Sequence, residues 1–227
     1  MPRLDARLKC VASMIRSERH ADIGSDHGHL LAALLAAGRI QFGFAIENKR
    51  QPFKNSKTTL NGYAAEVRFA DGLAGLRPAE VDSLSICGMG GGSIVRILEA
   101  FPERVPDRLM LQPNKSINVV RRWARNNRFK LLDERCTQGG RRFEILSFQR
   151  TDQAEDPAYQ QLQQRGCDSE LGYEFGPWFL LRQDAELRRL LREELDYLKK
   201  MPALTDESRT RMEAISRLEA AGYFFSR

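Results

Sequence analysis

Ala21-Asp22-Ile23-Gly24-Ser25-Asp26-His27-Gly28-His29-Leu30 runs from a short apolar strand into a glycine turn, and Leu30-Leu31-Ala32-Ala33-Leu34-Leu35-Ala36-Ala37 follows at once. Leucine and alanine are strong helix formers, and Gly38 stands where a helix-ending glycine belongs. Strand, glycine turn, helix is the unit that cradles a nucleotide-like cofactor. The spacing is not the G-x-G-x-x-G of dinucleotide sites, and no Gly-Lys-Ser/Thr closes a phosphate-binding loop. An acidic turn in this place suits a cofactor with a cationic or amine group better than one rich in phosphate. Taken alone, the stretch also fits an ordinary strand-to-helix turn.

Upstream, Leu4, Leu8, Val11 and Ile15 recur at helical spacing and predict a helix over residues 3–19. Arg3 and Arg7 lie one turn apart on it. They form either a grip for one phosphate or part of a solvated basic face.

Downstream, Ile40 to Glu47 reads as a second strand, which ends in an acid about 20 residues past the glycine turn. A carboxylate there can accept hydrogen bonds from two ribose hydroxyls, and Asn48 follows it. Gln51 to Asn61 reads as a polar helix opened by Pro52 and closed by Asn61-Gly62. Val67 to Gly72 is a third strand, ending in Asp71-Gly72. Asp22 and Asp26, Glu47 and Asp71 are thus delivered to one sheet edge, where an open α/β sheet forms its crevice.

Val81 to Cys87 is a fourth strand leading into Gly88-Met89-Gly90-Gly91-Gly92, then a helix over residues 93–101. Glycine lets backbone approach a ligand closely, so this loop is expected to let a flat base lie against it. The competing function is close helix–strand packing. Arg108 to Asn114 is a fifth strand with the uncharged polar exit Gln112-Pro113-Asn114. A basic helix over residues 116–127 carries Arg121, Arg122 and Arg125 with Trp123. Two closing strands, about residues 130–138 and 142–150, are joined by Gly139-Gly140, a hairpin signal. The expected fold is α/β: a mostly parallel sheet with an antiparallel edge strand.

From residue 151 the character changes. Residues 151–170 read as a polar linker with a short helix. A long helix is expected from Phe175-Gly176-Pro177-Trp178 to about Lys200, and a second from about Thr205 to Ala221. Leucines at coiled-coil spacing suggest an α-helical hairpin. The division is residues 1–150 as the body and residues 151–227 as linker plus helical hairpin.

No apolar run reaches the length of a membrane span, and the N-terminus lacks a signal-peptide core, so no membrane partner and a cytoplasmic location are expected. Cys10, Cys87, Cys136 and Cys167 form no C-x-x-C pair, and His20, His27 and His29 show no ligand spacing. No disulfide framework and no metal are expected. Residues 1–150 hold 25 Lys and Arg against 15 Asp and Glu, whereas residues 151–227 hold 11 against 15. A basic body with an acidic tail suggests a polyanionic partner, although a merely soluble basic surface has the same composition.

Together, A-D-I-G-S-D-H at 21–27, D-G at 71–72, I-C-G-M-G-G at 86–91, L-Q-P-N at 111–114 and F-G-P at 175–177 resemble the class I S-adenosylmethionine-dependent methyltransferases. They are most similar to the bacterial tRNA adenine-N1 methyltransferases that modify adenine 22. The resemblance implies a Rossmann-like seven-stranded fold, S-adenosylmethionine as cofactor and tRNA as substrate; a monomer is expected. It places Asp22 and Gly24 at the methionine part of the cofactor, Glu47 at the ribose and Asp71 at the adenine amino group. Ser25, Asp26, His27, Asn48, Gly72, Gly88 and Met89 complete the expected cofactor set. The methyl group and target base would meet at Gly88 and Gly90, beside Asn114 and Asp26. Arg3, Arg7, Gly91, Gln112, Pro113 and Asn114 are the expected RNA contacts. His29-Leu30-Leu31 departs from the family's usual aromatic-Leu-Pro, and Asn48-Lys49-Arg50-Gln51-Pro52 from its usual Gly-Pro pair. Two other functions fit the same residues: a methyltransferase for another substrate, and a non-catalytic RNA-binding protein that retains the fold.

Overall fold

The computed structural model describes residues 4–137, 142–153 and 156–223. It divides into two compact units, Met1–Ala154 and Glu155–Arg227.

The first unit opens with α1 (Ala6–Met14), shorter than the helix expected over residues 3–19. The Asp5 side chain caps its start by accepting from the Leu8 N–H at 2.7 Å. Its end is set by Arg39, whose guanidinium donates to the carbonyls of Ile15 at 2.7 Å and Ser13 at 2.8 Å. Those carbonyls have no partner inside a helix that stops here, so a distant side chain supplies one. The chain then extends into β1 (Arg19–Ile23).

Next come α2 (His29–Ala36), β2 (Phe42–Glu47), α3 (Arg50–Thr59), β3 (Ala65–Phe69), β4 (Ser83–Met89), α4 (Gly91–Ala100), β5 (Arg108–Pro113), α5 (Ile117–Asn126), β6 (Phe129–Cys136) and β7 (Glu144–Arg150). The seven strands form one sheet in the order β3-β2-β1-β4-β5-β7-β6. β1 to β5 pair in parallel, and β7 pairs antiparallel with both β5 and β6. The antiparallel strand is therefore inserted one place in from the edge, and β6 lies outermost. The expected Gly139-Gly140 turn lies outside the described residues.

The chain builds outward from β1 through β2 to β3, then returns to β1's other side to lay down β4 and β5. That reversal opens a crevice between the carboxyl ends of β1 and β4. One face of the sheet is covered by α1 and α2, where Val11, Ile15, Leu30, Leu31, Leu34, Ala45, Met110 and Ile145 share one buried cluster. Strand alternation then turns Leu109 and Leu111 to the opposite face. Each buried leucine contributes about 1.5–3 kcal/mol relative to exposure, so the apolar run after the glycine turn anchors the turn itself.

The second unit contains α6 (Pro157–Gln164), α7 (Ser169–Phe175), α8 (Pro177–Leu181), α9 (Ala185–Lys199) and α10 (Asp206–Ala220). The span read as a linker is thus partly a packed helix: Ala158, Tyr159 and Leu162 of α6 are buried. The long helix expected from about residue 175 to 200 starts only after Gly176 and is broken at Gln183. Gly176 adopts φ 88° and Gln183 φ 51°, both outside helical backbone. The side chains of Asp156, Asp168, Asp184 and Thr205 cap the starts of α6, α7, α9 and α10. α9 and α10 form the C-terminal helical pair, joined by ion pairs Arg211–Glu194 and Lys199–Glu219. Among the described residues, no helix is long and apolar enough to cross a membrane.

Candidate active site

The carboxyl ends of β1, β2, β4 and β5 bring most of the expected residues together. After β1, Gly24, Asp26 and Gly28 all take positive φ, at 70°, 59° and 69°. This sequence of left-handed residues folds the turn back on itself, and Gly24 N–H donates to the Ile46 carbonyl at 2.9 Å. A Cβ on Gly24 would come within 2.5 Å of the Met89 methyl, so Met89 closes over the turn from the end of β4.

Asp22 points into the crevice floor and is only 4% exposed. Ser85 Oγ donates to its Oδ1 at 2.6 Å. Burial pushes the Asp22 carboxyl up to about 6, opposed by the Ser85 and Ser25 hydroxyls and by the charge of Arg7. The Ser25 hydroxyl is buried beside Asp22 without a well-formed hydrogen bond, and His29 Nδ1 is likewise buried and unpaired.

Glu47, also 4% exposed, ends β2 and accepts from the backbone N–H of Asp26. Burial is the first cause that lifts its carboxyl to about 7, and the neighbouring Asp22 and Asp26 charges add to the lift. The Asp26 and His27 side chains stand out at 70% and 52% exposure. Asn48 Nδ2 donates to Asp71 Oδ1 at 2.8 Å and so orients that acid at the end of β3. Gly72, with φ 52°, is buried and faces Ile97 of α4.

The other half of the site is a hydrogen-bonded cluster. Gln112 is fully buried, and its Oε1 accepts from Gly88 N–H at 3.0 Å and from Arg7 Nη1 at 2.8 Å. Its Nε2 donates to the Pro113 carbonyl and to Asn114 Oδ1, each at 3.1 Å. Asn114 Nδ2 donates to the Gly88 carbonyl at 2.7 Å. Arg7 thus serves this cluster and pairs with Asp5 at 3.7 Å; the phosphate grip considered with Arg3 involves a residue outside the described ones. Asn114 holds the exit of β4 with the same amide that was expected to face a base.

The four-glycine loop is shorter than expected, because Gly88 and Met89 finish β4 while Gly91 and Gly92 begin α4. Its glycines have separate causes. A Cβ on Gly91 would lie 2.1 Å from the Ser116 carbonyl oxygen, so close packing alone requires glycine at this buried position, which was expected as an RNA contact. A Cβ on Gly90 would meet the Lys115 side chain at 3.3 Å, a flexible neighbour. Gly88 needs its φ of 78°. Arg121 of the basic helix is also redirected. It is fully buried and ion-paired with Glu134 at 2.7 Å and Glu144 at 2.6 Å.

Comparison with known proteins decides the family. A family described as "Methyltransferase domain" matches residues 4–146. The tRNA (adenine(22)-N(1))-methyltransferase of Bacillus subtilis is 33% identical over 207 residues, covering 86% of this chain and 82% of that protein. The chain belongs to the tRNA (adenine(22)-N(1))-methyltransferase family. The crystal structure of the B. subtilis M1A22 tRNA methyltransferase TrmK superposes with a TM-score of 0.81 at 28% identity, over 98% of this chain and 99% of that one. A Streptococcus pneumoniae protein titled a putative tRNA (m1A22) methyltransferase, solved in complex with S-adenosyl-L-methionine, shares the fold at a TM-score of 0.79 and 24% identity, over 96% and 99% of the two chains.

As a member of this methyltransferase family, the protein has a crevice whose residues fit the cofactor. Two buried carboxylates sit at raised pKa, where hydroxyl donors or a cation would relieve them. The buried Ser25 hydroxyl and His29 Nδ1 await partners. Among the described residues no cluster of three or more His, Cys, Asp or Glu is placed to hold a metal ion. Sequence reasoning missed His20 and Ser85. Their signal is alternation: Ser83 and Ser85 in β4, and His20 and Asp22 in β1, recur every second residue and so share one face of the sheet.

Proposed function

We propose that this methyltransferase transfers the methyl group of S-adenosylmethionine to N1 of adenine 22 in tRNA. The observation that carries the proposal is the match to the B. subtilis enzyme across most of both chains. The acid-lined crevice supports it.

S-adenosylmethionine supplies a methyl group already activated on a sulfonium, so the protein mainly positions donor and acceptor. Glu47 accepts the ribose hydroxyls, and Asp71, oriented by Asn48, takes the adenine amino group. Asp22, Gly24 and Ser25 line the methionine end, with Met89 closing over it. The target base enters beside Gly88 and Gly90. Adenine N1 is paired in a duplex, so the base must leave its stack to arrive there. The product base is cationic, and the exposed carboxylate of Asp26 stabilises that developing charge. Gln112, Asn114 and Arg7 set the shape of the floor under the base. The chemistry as described requires no metal, and we read the enzyme as a cytoplasmic monomer. Residues 1–150 carry cofactor and catalysis, and the helical segment after residue 150 adds RNA contacts.

The test is to incubate unmodified tRNA with labelled S-adenosylmethionine and digest it to nucleosides. The expected product is 1-methyladenosine, lost when A22 is replaced. Label in another nucleoside, or none in RNA, overturns the proposal.

A further inference from the structure

A chain of buried hydrogen bonds runs through the sheet beneath the cofactor crevice. Ser17 Oγ lies 2.7 Å from Ser83 Oγ, Ser83 Oγ lies 2.6 Å from His20 Nδ1, His20 Nε2 lies 2.9 Å from Ser85 Oγ, and Ser85 Oγ donates to Asp22 Oδ1 at 2.6 Å. His20 and Ser85 are fully buried. The buried side chains of Ser83, His20, Ser85 and Asp22 would be costly inside an apolar sheet unless every one were paired, and here every one is.

The direction of the chain follows from proton counting. An ionised Asp22 only accepts, so Ser85 gives it its one hydroxyl proton. Ser85 must then accept from His20, which places the imidazole proton on Nε2. Burial holds the His20 ring neutral, with its pKa lowered to about 3, so Nδ1 is bare and accepts from Ser83. Ser83 in turn accepts from Ser17. Every donor therefore points toward Asp22.

We propose that His20 is a positioning residue for Asp22: through Ser85 it holds the carboxylate ionised and aimed into the cofactor crevice. This rests on the assignment of Asp22 to the cofactor site. No other donor reaches Ser85 from β1, and without the His20 N–H the Ser85 hydroxyl is free to turn away from the carboxylate. The other charged or titratable groups facing Asp22 are Arg7 of α1, Glu47 of β2 and Cys87 of β4, whose thiol burial keeps neutral.

The experiment is calorimetric titration of the full-length protein with S-adenosylmethionine from pH 5 to 8.5. Because Glu47 titrates in the same window, all variants carry Glu47→Gln. The parent should lose affinity as pH falls through about 6, where Asp22 protonates. Ser85→Ala and His20→Phe remove support for the ionised form, so each should shift that midpoint to higher pH and weaken binding about tenfold at pH 7. The double variant should be no worse than either single one. His20→Gln, which keeps a donor and an acceptor on one side chain, should restore part of the shift. A role in packing alone lowers melting temperature and affinity at every pH without moving the midpoint, and that result overturns the proposal. Should His20→Phe fail to fold, His20→Gln and Ser85→Ala decide: an unmoved midpoint in Ser85→Ala overturns it. Asp22→Asn separates the two levels. If it leaves affinity and its pH dependence unchanged, the cofactor assignment of Asp22 fails; if it abolishes the pH dependence while the His20 variants do nothing, only the relay fails.

Discussion

The backbone N–H of Asp26 donates to the Glu47 carboxylate, tying the glycine turn after β1 to the end of β2. One bond therefore orients two acids at once. It fixes where the Asp26 side chain leaves the turn, and it leaves Glu47 with one oxygen for a ligand.

Glu47 is buried with a carboxyl raised to about 7 from 4.5. A raised acid contributes stability that is present below the unfolded value and lost as pH rises through the folded one. The cofactor-free protein should therefore lose stability between about pH 4.5 and 7, in parallel with Asp22, which rises from 3.8 to about 6. Glu47→Gln should raise the melting temperature of the free protein at pH 8, by about 1–2 kcal/mol in stability. It should weaken cofactor binding by about 1.5–3 kcal/mol. Thermal melts and calorimetry at pH 5 and pH 8 check both signs.

Gly90 and Gly91 should separate folding from activity. Gly91→Ala drives a Cβ into the Ser116 carbonyl oxygen and should cost about 1–3 kcal/mol or more in thermal or denaturant unfolding. Gly90→Val meets only the movable Lys115 side chain, in backbone that a β-branched residue tolerates (φ −71°, ψ 147°). It should fold and bind cofactor while losing methyl transfer. Parental turnover by Gly90→Val would remove Gly90 from the base pocket.

Arg7→Ala and Asn114→Ala break the same cluster from opposite sides. Each should lower kcat by the equivalent of about 0.5–1.5 kcal/mol with the cofactor KM little changed. Because both act through Gln112 and Gly88, the double variant should fall short of the sum. Full additivity in a double-mutant cycle would show that the two side chains act separately.

Arg121→Ala should damage stability and not RNA recognition. It removes the guanidinium paired with the fully buried Glu134, and a broken buried pair costs about 3–5 kcal/mol. Urea unfolding should show the loss. Binding of tRNA by the remaining folded protein should keep the steep salt dependence expected of phosphate contacts. A stable variant with weakened tRNA binding would return Arg121 to the surface.

The alternation of strands and helices, the glycine turn at residues 24–28 and the acids at Glu47 and Asp71 were legible in the chain because each follows from local rules: periodicity, helix propensity and turn chemistry. The motifs also pointed to the family, four of them at strand ends and F-G-P between two helices. The sequence alone could not say which glycine packing requires. Gly90 and Gly91 are neighbours in one run, and only the approach of Ser116 from the next loop separates them. Nor could it show that Arg121 turns inward while the helix around it reads as basic surface, because the partner carboxylates arrive from strands 13 and 23 residues away. The break at Gln183 lies before the leucine stripe that begins at Leu187, and no local rule marks a left-handed glutamine. In the sequence His20 stood only as one of three histidines without ligand spacing. Its meaning arises only when β4 is laid beside β1, which puts Ser83 and Ser85 at its two nitrogens and Asp22 at the chain's end. Local chemistry wrote the elements and their polar ends; long-range pairing decided which of those polar groups meet.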